Sequence, residues 1–124
     1  MEKFERGHRE LIVWQQAVDL SVQVILLSEA FAQRHGFVLR DQMQRSGMSI
    51  PNNIAEGSGR GTKKDYIAFL RIARGSLREL DTQIEIAVRI GALPISEAEK
   101  LFAACSSIGR LLTRLIQSLT TLKP

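Results

Sequence analysis

"SIPNNIAEGSGRGTKKDY", residues 49 to 66, decides how the chain folds back on itself. Pro51 stands between Ile50 and Ile54, two apolar positions at helical spacing. Gly57, Gly59 and Gly61 follow, and Lys63 and Lys64 then open another helical pattern. The stretch is a phosphate-holding loop, a hinge, or a joint between helices. The P-loop pattern G-x-x-x-x-G-K-[ST] is absent, because Thr62 separates Gly61 from Lys63. G-x-G-x-x-G is absent too, since the glycines simply alternate, and no strand pattern precedes them as both nucleotide motifs require. A joint fits best. Glycines at a helix N-terminus beside Arg60, Lys63 and Lys64 still allow an unspecific phosphate contact.

Pro51 cannot donate to the carbonyl of residue 47, and its ring crowds that carbonyl. Residue 47 is glycine, which yields locally. The expected result is a kinked helix, with two short helices broken near Ser49 as the alternative. Asn53 and Glu56 are three residues apart and share a face with Ser49. A tight turn at 57–61 brings that face to the start of the next helix, where Glu56 can meet Tyr66, Arg60 or Lys63. Further back, Arg45 comes level with Ser76 and Glu79, so an Arg45–Glu79 pair is expected. Either these polar residues fix helix register by satisfying one another, or they touch a ligand.

Outward from the joint, four apolar stripes alternate steps of four and three residues, the signature of bundle helices. The first is Val13, Ala17, Leu20, Val24, Leu27 and Phe31, with Gly36 as a stop. Leu39, Met43, Ser46, Ile50 and Ile54 form the second. The third is unbroken: Tyr66, Leu70, Ala73, Leu77, Leu80, Ile84 and Ala87. Thr62 and Asp65 make an N-cap pair for it, and Gly91 with Pro94 ends it. The fourth runs Leu101, Cys105, Ile108, Leu112, Leu115, Leu119 and Leu122, with Ser96 and Glu99 as a capping box. The pattern predicts helices over about 10–34, 38–57, 62–90 and 96–121. Together they make an all-α, antiparallel up-down four-helix bundle in a single domain, 1–124. On the third helix, Ile72 and Ile86 lie off the main stripe, and Ala68, Ile72, Gly75 and Ser76 group on another side. A mid-helix glycine costs about 1 kcal/mol relative to alanine, which a closely packed second backbone would offset. A broad core face and a subunit contact are both open.

Composition excludes several classes. A chain of 124 residues that is 44% hydrophobic and 24% charged can bury a core without a metal or disulfide staple. One cysteine permits no internal disulfide, and the charged N-terminus has no signal-peptide core, so a cytoplasmic protein is expected. No apolar run is long enough to cross a membrane. His8 and His35 are isolated, Cys105 lies in an apolar stripe, and no metal-ligand spacing occurs. Neither an enzyme, a cofactor nor a small-molecule substrate is indicated.

The net charge of +4 is unevenly placed. Between Arg34 and Arg78, nine Lys/Arg face only Asp41, Glu56 and Asp65, whereas acidic residues predominate elsewhere. Lys64, Arg71 and Arg78 are seven apart on the third helix, with Arg74 beside them. Such a stripe can follow a phosphate backbone without reading bases. It carries no interleaved aromatics for base stacking, and the plain alternative is a solvated face.

"LIVWQQAVDL", "SIPNNIAEGSGR" and "YIAFLRIARGSLREL" together resemble the 23S ribosomal-RNA intervening-sequence protein family. The resemblance rests on Trp14-Gln15, Ile50-Pro51, Asn53 to Gly57, Tyr66, Phe69-Leu70, Gly75-Ser76-Leu77 and Glu79. It implies a four-helix bundle that assembles as a cyclic homopentamer and whose biochemical role is undetermined. The family is similar to the accessory proteins of diversity-generating retroelements, which bind nucleic acid and a reverse transcriptase. Gly47 stands where alanine is typical of the family. Two functional readings follow. The first is a non-enzymatic homo-oligomeric scaffold, with itself and another protein as partners. The alternative is an accessory protein that binds RNA or DNA, structured RNA foremost, through Arg60, Lys63, Lys64, Arg71, Arg74 and Arg78.

Overall fold

The computed structural model describes residues 7–31, 35 and 37–121. Four α-helices account for most of them: α1, Ile12–Glu29; α2, Phe37–Ser58; α3, Lys63–Arg89; and α4, Ile95–Thr121. A short 3-10 turn, His8–Glu10, precedes α1. No strand occurs among the described residues. Each helix packs on its two neighbours in the cyclic order α1, α2, α3, α4, which encloses one core.

The α3 stripe behaves as its spacing demands. Leu70, Ala73, Leu77, Leu80, Ile84 and Ala87 are all buried, and Tyr66 is half-buried. Thr62 accepts the Asp65 backbone N–H at 3.1 Å and so caps the helix. At the other end Gly91 takes φ +79°. Its N–H bonds the Val88 carbonyl and the Ala92 N–H bonds the Ala87 carbonyl, the paired bonds of a Schellman ending.

The other helices depart from expectation for local reasons. α1 ends at Glu29, short of 34. The last N–H groups, of Ala30 and Phe31, reach back only three residues, to Leu27 and Ser28. That tightening brings Phe31 onto the core. Ser28 is fully buried in the place expected of Leu27, which is half-buried. In α4 the same drift puts Ile116, not Leu115, in the core. An α-helix turns 3.6 residues, so a strict 3.5-residue stripe slips by about 20° per heptad. Gly36 and Leu122 lie outside the described residues. α4 starts two residues earlier than the capping box requires, because the Pro94 carbonyl already accepts the Glu97 and Ala98 N–H groups. Ser96 therefore sits inside the first turn and does not cap it.

α2 runs unbroken through Pro51, so the alternative of two short helices is not realised. Its buried side is built of small residues: Ser46, Gly47, Pro51 and Gly57 stand among Met43, Ile50 and Ile54. They pack against α1 at ordinary contact distance and against α3 much more closely. A Cβ placed on Gly47 would lie 3.7 Å from the Ser21 Cα of α1. One placed on Gly57 would lie only 2.9 Å from the Phe69 Cβ of α3.

Candidate nucleic-acid interface

The joint between α2 and α3 is a polar lock set in apolar packing. The hydroxyls of Ser49 and Ser76 share a hydrogen bond of 2.7 Å across the two helices. Asn53 donates to the Ser49 hydroxyl at 3.0 Å and to its carbonyl at 2.8 Å, one turn back on α2. Ser76 is buried, so the shared bond spares its hydroxyl a desolvation penalty. Glu56 meets Arg60 at 3.3 Å, and that guanidinium lies over the Phe69 ring, 4.8 Å from its centroid. Tyr66 packs on Gly57, and burial raises its phenol above the ordinary value of 10.0. Pro51 and Gly57 are buried in the joint. Arg45 and Glu79 are both exposed and form no ion pair, against expectation. An exposed pair gains at most about 1 kcal/mol and loses side-chain freedom, so little draws the two together.

The predicted basic residues divide into three groups. Arg60 is engaged by Glu56 and Phe69. Lys63, Lys64 and Arg71 are exposed along α3. Arg74 and Arg78 open onto a different feature, a groove of about 700 Å³ between α3 and α4. Arg110 and Arg114 of α4 form its other wall. Four arginines against one carboxylate, Asp81, give the groove a lining charge of +3. Among the described residues none of the four arginines has a carboxylate within ion-pair distance. Arg110 instead donates to the Ser106 hydroxyl at 2.7 Å, one turn back, which holds its guanidinium along the wall.

Sequence reading missed Arg110 and Arg114 because nothing within α4 says which side of α3 it faces. The available signal was their i, i+4 spacing beside the stripe positions Ile108 and Leu112. Arg74 and Arg78 on α3, like Arg110 and Arg114 on α4, are four residues apart, about 6 Å along each helix at 1.5 Å per residue.

Beneath the groove lies Cys105, whose thiol is pushed up to about 12, first by burial and then by the charge of Asp81. Such a thiol is not ionised near neutrality and makes a poor nucleophile. Among the described residues no group of three His, Cys, Asp or Glu could hold a metal ion, and no helix is long and apolar enough to cross a membrane.

The model for the 23S rRNA-intervening sequence protein matches residues 9–114. A crystal structure of a protein of unknown function from the S23 ribosomal protein family of Bacteroides thetaiotaomicron is 26% identical, with a TM-score of 0.79. That likeness covers 85% of this chain and 98% of the other. None of the curated proteins matches.

Proposed function

Because the chain belongs to the 23S rRNA-intervening sequence protein family, we propose that it is a non-enzymatic scaffold, an antiparallel up-down bundle that assembles as a cyclic homopentamer in the cytoplasm. The antiparallel reading draws on cross-helix contacts. Gln44 bonds Ser28 while Gly47 lies against Ser21; Ser49 bonds Ser76 while Gly57 lies against Tyr66. In each pair of helices, residue numbers rise on one as they fall on the other.

The observation that carries self-assembly is on the outer side of α3. Gly75 has no atom within 4 Å of a built Cβ, so nothing in its own bundle accounts for a glycine there. Ile72, 52% exposed, lies three residues before it, and Ile86, 45% exposed, extends the same line. Apolar groups on a helix already packed on its other face gain by meeting another subunit. The pentamer number itself comes from the family resemblance. The free, buried Cys105 supports a reducing compartment, and its raised pKa supports a role without thiol chemistry. Light scattering tests the assembly. The wild type is expected to have five times the monomer mass, and Ile72→Asp to dissociate it; a wild-type monomer at every concentration overturns the reading.

A second reading, contact with nucleic-acid phosphates along α3, is favoured by Lys63, Lys64, Arg71 and Arg78, all exposed and without carboxylate partners among the described residues. Mobility shift with RNA and DNA across a salt series tests it. Binding should weaken steeply as salt rises, since phosphate neutralisation releases counterions.

A further inference from the structure

We propose that the α3–α4 groove seats the phosphates of a single nucleic-acid strand, held between the Arg74–Arg78 wall and the Arg110–Arg114 wall. The inference rests on the nucleic-acid reading and gives it a place and a strand form.

Three features of the groove lead there. It is concave, and its charge sits on both walls. A duplex presents its backbone on a convex surface and is met from one side, whereas a groove with two basic walls encloses one chain. Its charge is also unspent, because the arginines find no carboxylate partner among the described residues. Each planar guanidinium can take two oxygens of one phosphate. Finally, the groove opens onto a track. Arg71 lies one turn before Arg74 on the same side of α3, and Lys64 lies seven residues before Arg71. A uniformly anionic chain can follow that line beyond the groove.

The groove also limits what is read. Phe102 is the one aromatic residue in its lining, and it is half-buried. No exposed ring lines the groove as a platform for stacking bases, so sequence preference should be weak. The floor residues Leu77, Cys105 and Gly109 supply no side-chain donor beyond the thiol, and apart from the arginines only the Thr82, Ser106 and Thr113 hydroxyls and the Asp81 carboxylate could meet base edges.

The test is fluorescence anisotropy of the full chain with a short labelled oligouridylate, the same strand in a duplex, and two competitors: inorganic tripolyphosphate and poly-glutamate. With four phosphate contacts on a single strand, the slope of log K against log salt is about −2.8, and a fourfold rise in salt weakens binding about fiftyfold. Arg110→Ala with Arg114→Ala should halve that slope, so that the same rise in salt weakens binding only about sevenfold. Thermal melts verify folding, and Arg110→Gln with Arg114→Gln replaces the alanine variant if that variant melts early. If the strand binds and both α4 variants leave affinity and slope unchanged, the groove is overturned while contact along α3 stands. No binding of any strand at low salt removes both. Equal affinity for the duplex overturns the single-strand assignment. Displacement by tripolyphosphate at the strand's own affinity assigns the site to free polyphosphate instead. Equal displacement by poly-glutamate would mean that the groove reads acidity and not phosphate.

Discussion

The α2–α3 joint and the α3–α4 seam share one helix and differ in almost everything else. At the joint, small residues let two backbones approach until a single Cβ on Gly57 would not fit. Polar groups there answer one another, Ser49 with Ser76 and Glu56 with Arg60. At the seam the helices stand far enough apart to leave a groove, and its arginines are answered by no carboxylate among the described residues. Satisfied polar groups fix a register; unsatisfied charges on a concave wall are available to a ligand. The contrast separates what holds the bundle together from what it offers to a partner.

The largest expected effect breaks the joint. Gly57→Ala puts a methyl group 2.9 Å from the Phe69 Cβ and 3.2 Å from the Tyr66 carbonyl oxygen. Neither neighbour is the loose end of a flexible chain, so the helices must part. The expected loss is about 3 kcal/mol, read as a lower urea midpoint.

The next effect belongs to the seam and appears only in alkali. Cys105 has its pKa raised from 9.0 to about 12 in the fold. Between those values the unfolded chain has released a proton that the folded chain keeps, so stability falls as pH rises. It is unaffected below pH 9, and the slope approaches about 1.4 kcal/mol per pH unit within the window. Tyr66, also raised, steepens the fall above pH 10. Urea midpoints measured between pH 7 and 11 should fall less in Cys105→Ala than in wild type. Parallel curves would show that the thiol does not titrate in this range.

A smaller effect returns to the joint. Ser76→Ala removes one partner of the 2.7 Å hydroxyl bond, while Ser49 keeps the Asn53 amide. The remaining group is half-buried and still partnered, so the loss should be about 1 kcal/mol. Asn53→Ala together with Ser76→Ala should exceed the sum of the single losses, which a double-mutant cycle measures.

These two regions were unequally legible in the sequence. The joint was readable because its determinants are close in the chain: Pro51, three glycines, and a capping threonine three residues before Asp65. The α3 stripe was readable because its seven apolar positions have no competing period. The groove was half readable. Arg74 and Arg78 stand in a visible basic stripe, but Arg110 and Arg114 join them only through the rotation of α4 about its axis. No local rule supplies that angle. The same slip between 3.5 and 3.6 residues per turn exchanged Leu27 for Ser28 and Leu115 for Ile116 in the core. Long-range polar pairing was the least legible: Arg45 and Glu79 remain apart, while the Ser107 hydroxyl donates to Gln16 at 2.8 Å across α4 and α1.

The smallest effect should carry the opposite sign, and it sharpens the contrast between the two regions. Gly109 lies in mid-α4 at the groove floor, where a Cβ would meet only the Leu77 Cδ2, at 3.5 Å. That is ordinary contact with the end of a flexible side chain. Gly109→Ala therefore gains helix propensity without overpacking, and stability should rise by about 0.5–1 kcal/mol. Gly47→Ala meets its neighbours at 3.7 Å or more and should behave alike. Glycine at the joint is required by the approach of two backbones, whereas glycine at the seam is not required by anything in the bundle. A destabilised Gly109→Ala variant would mean that the α3–α4 helices close more tightly in solution, and the room for a strand would go with them.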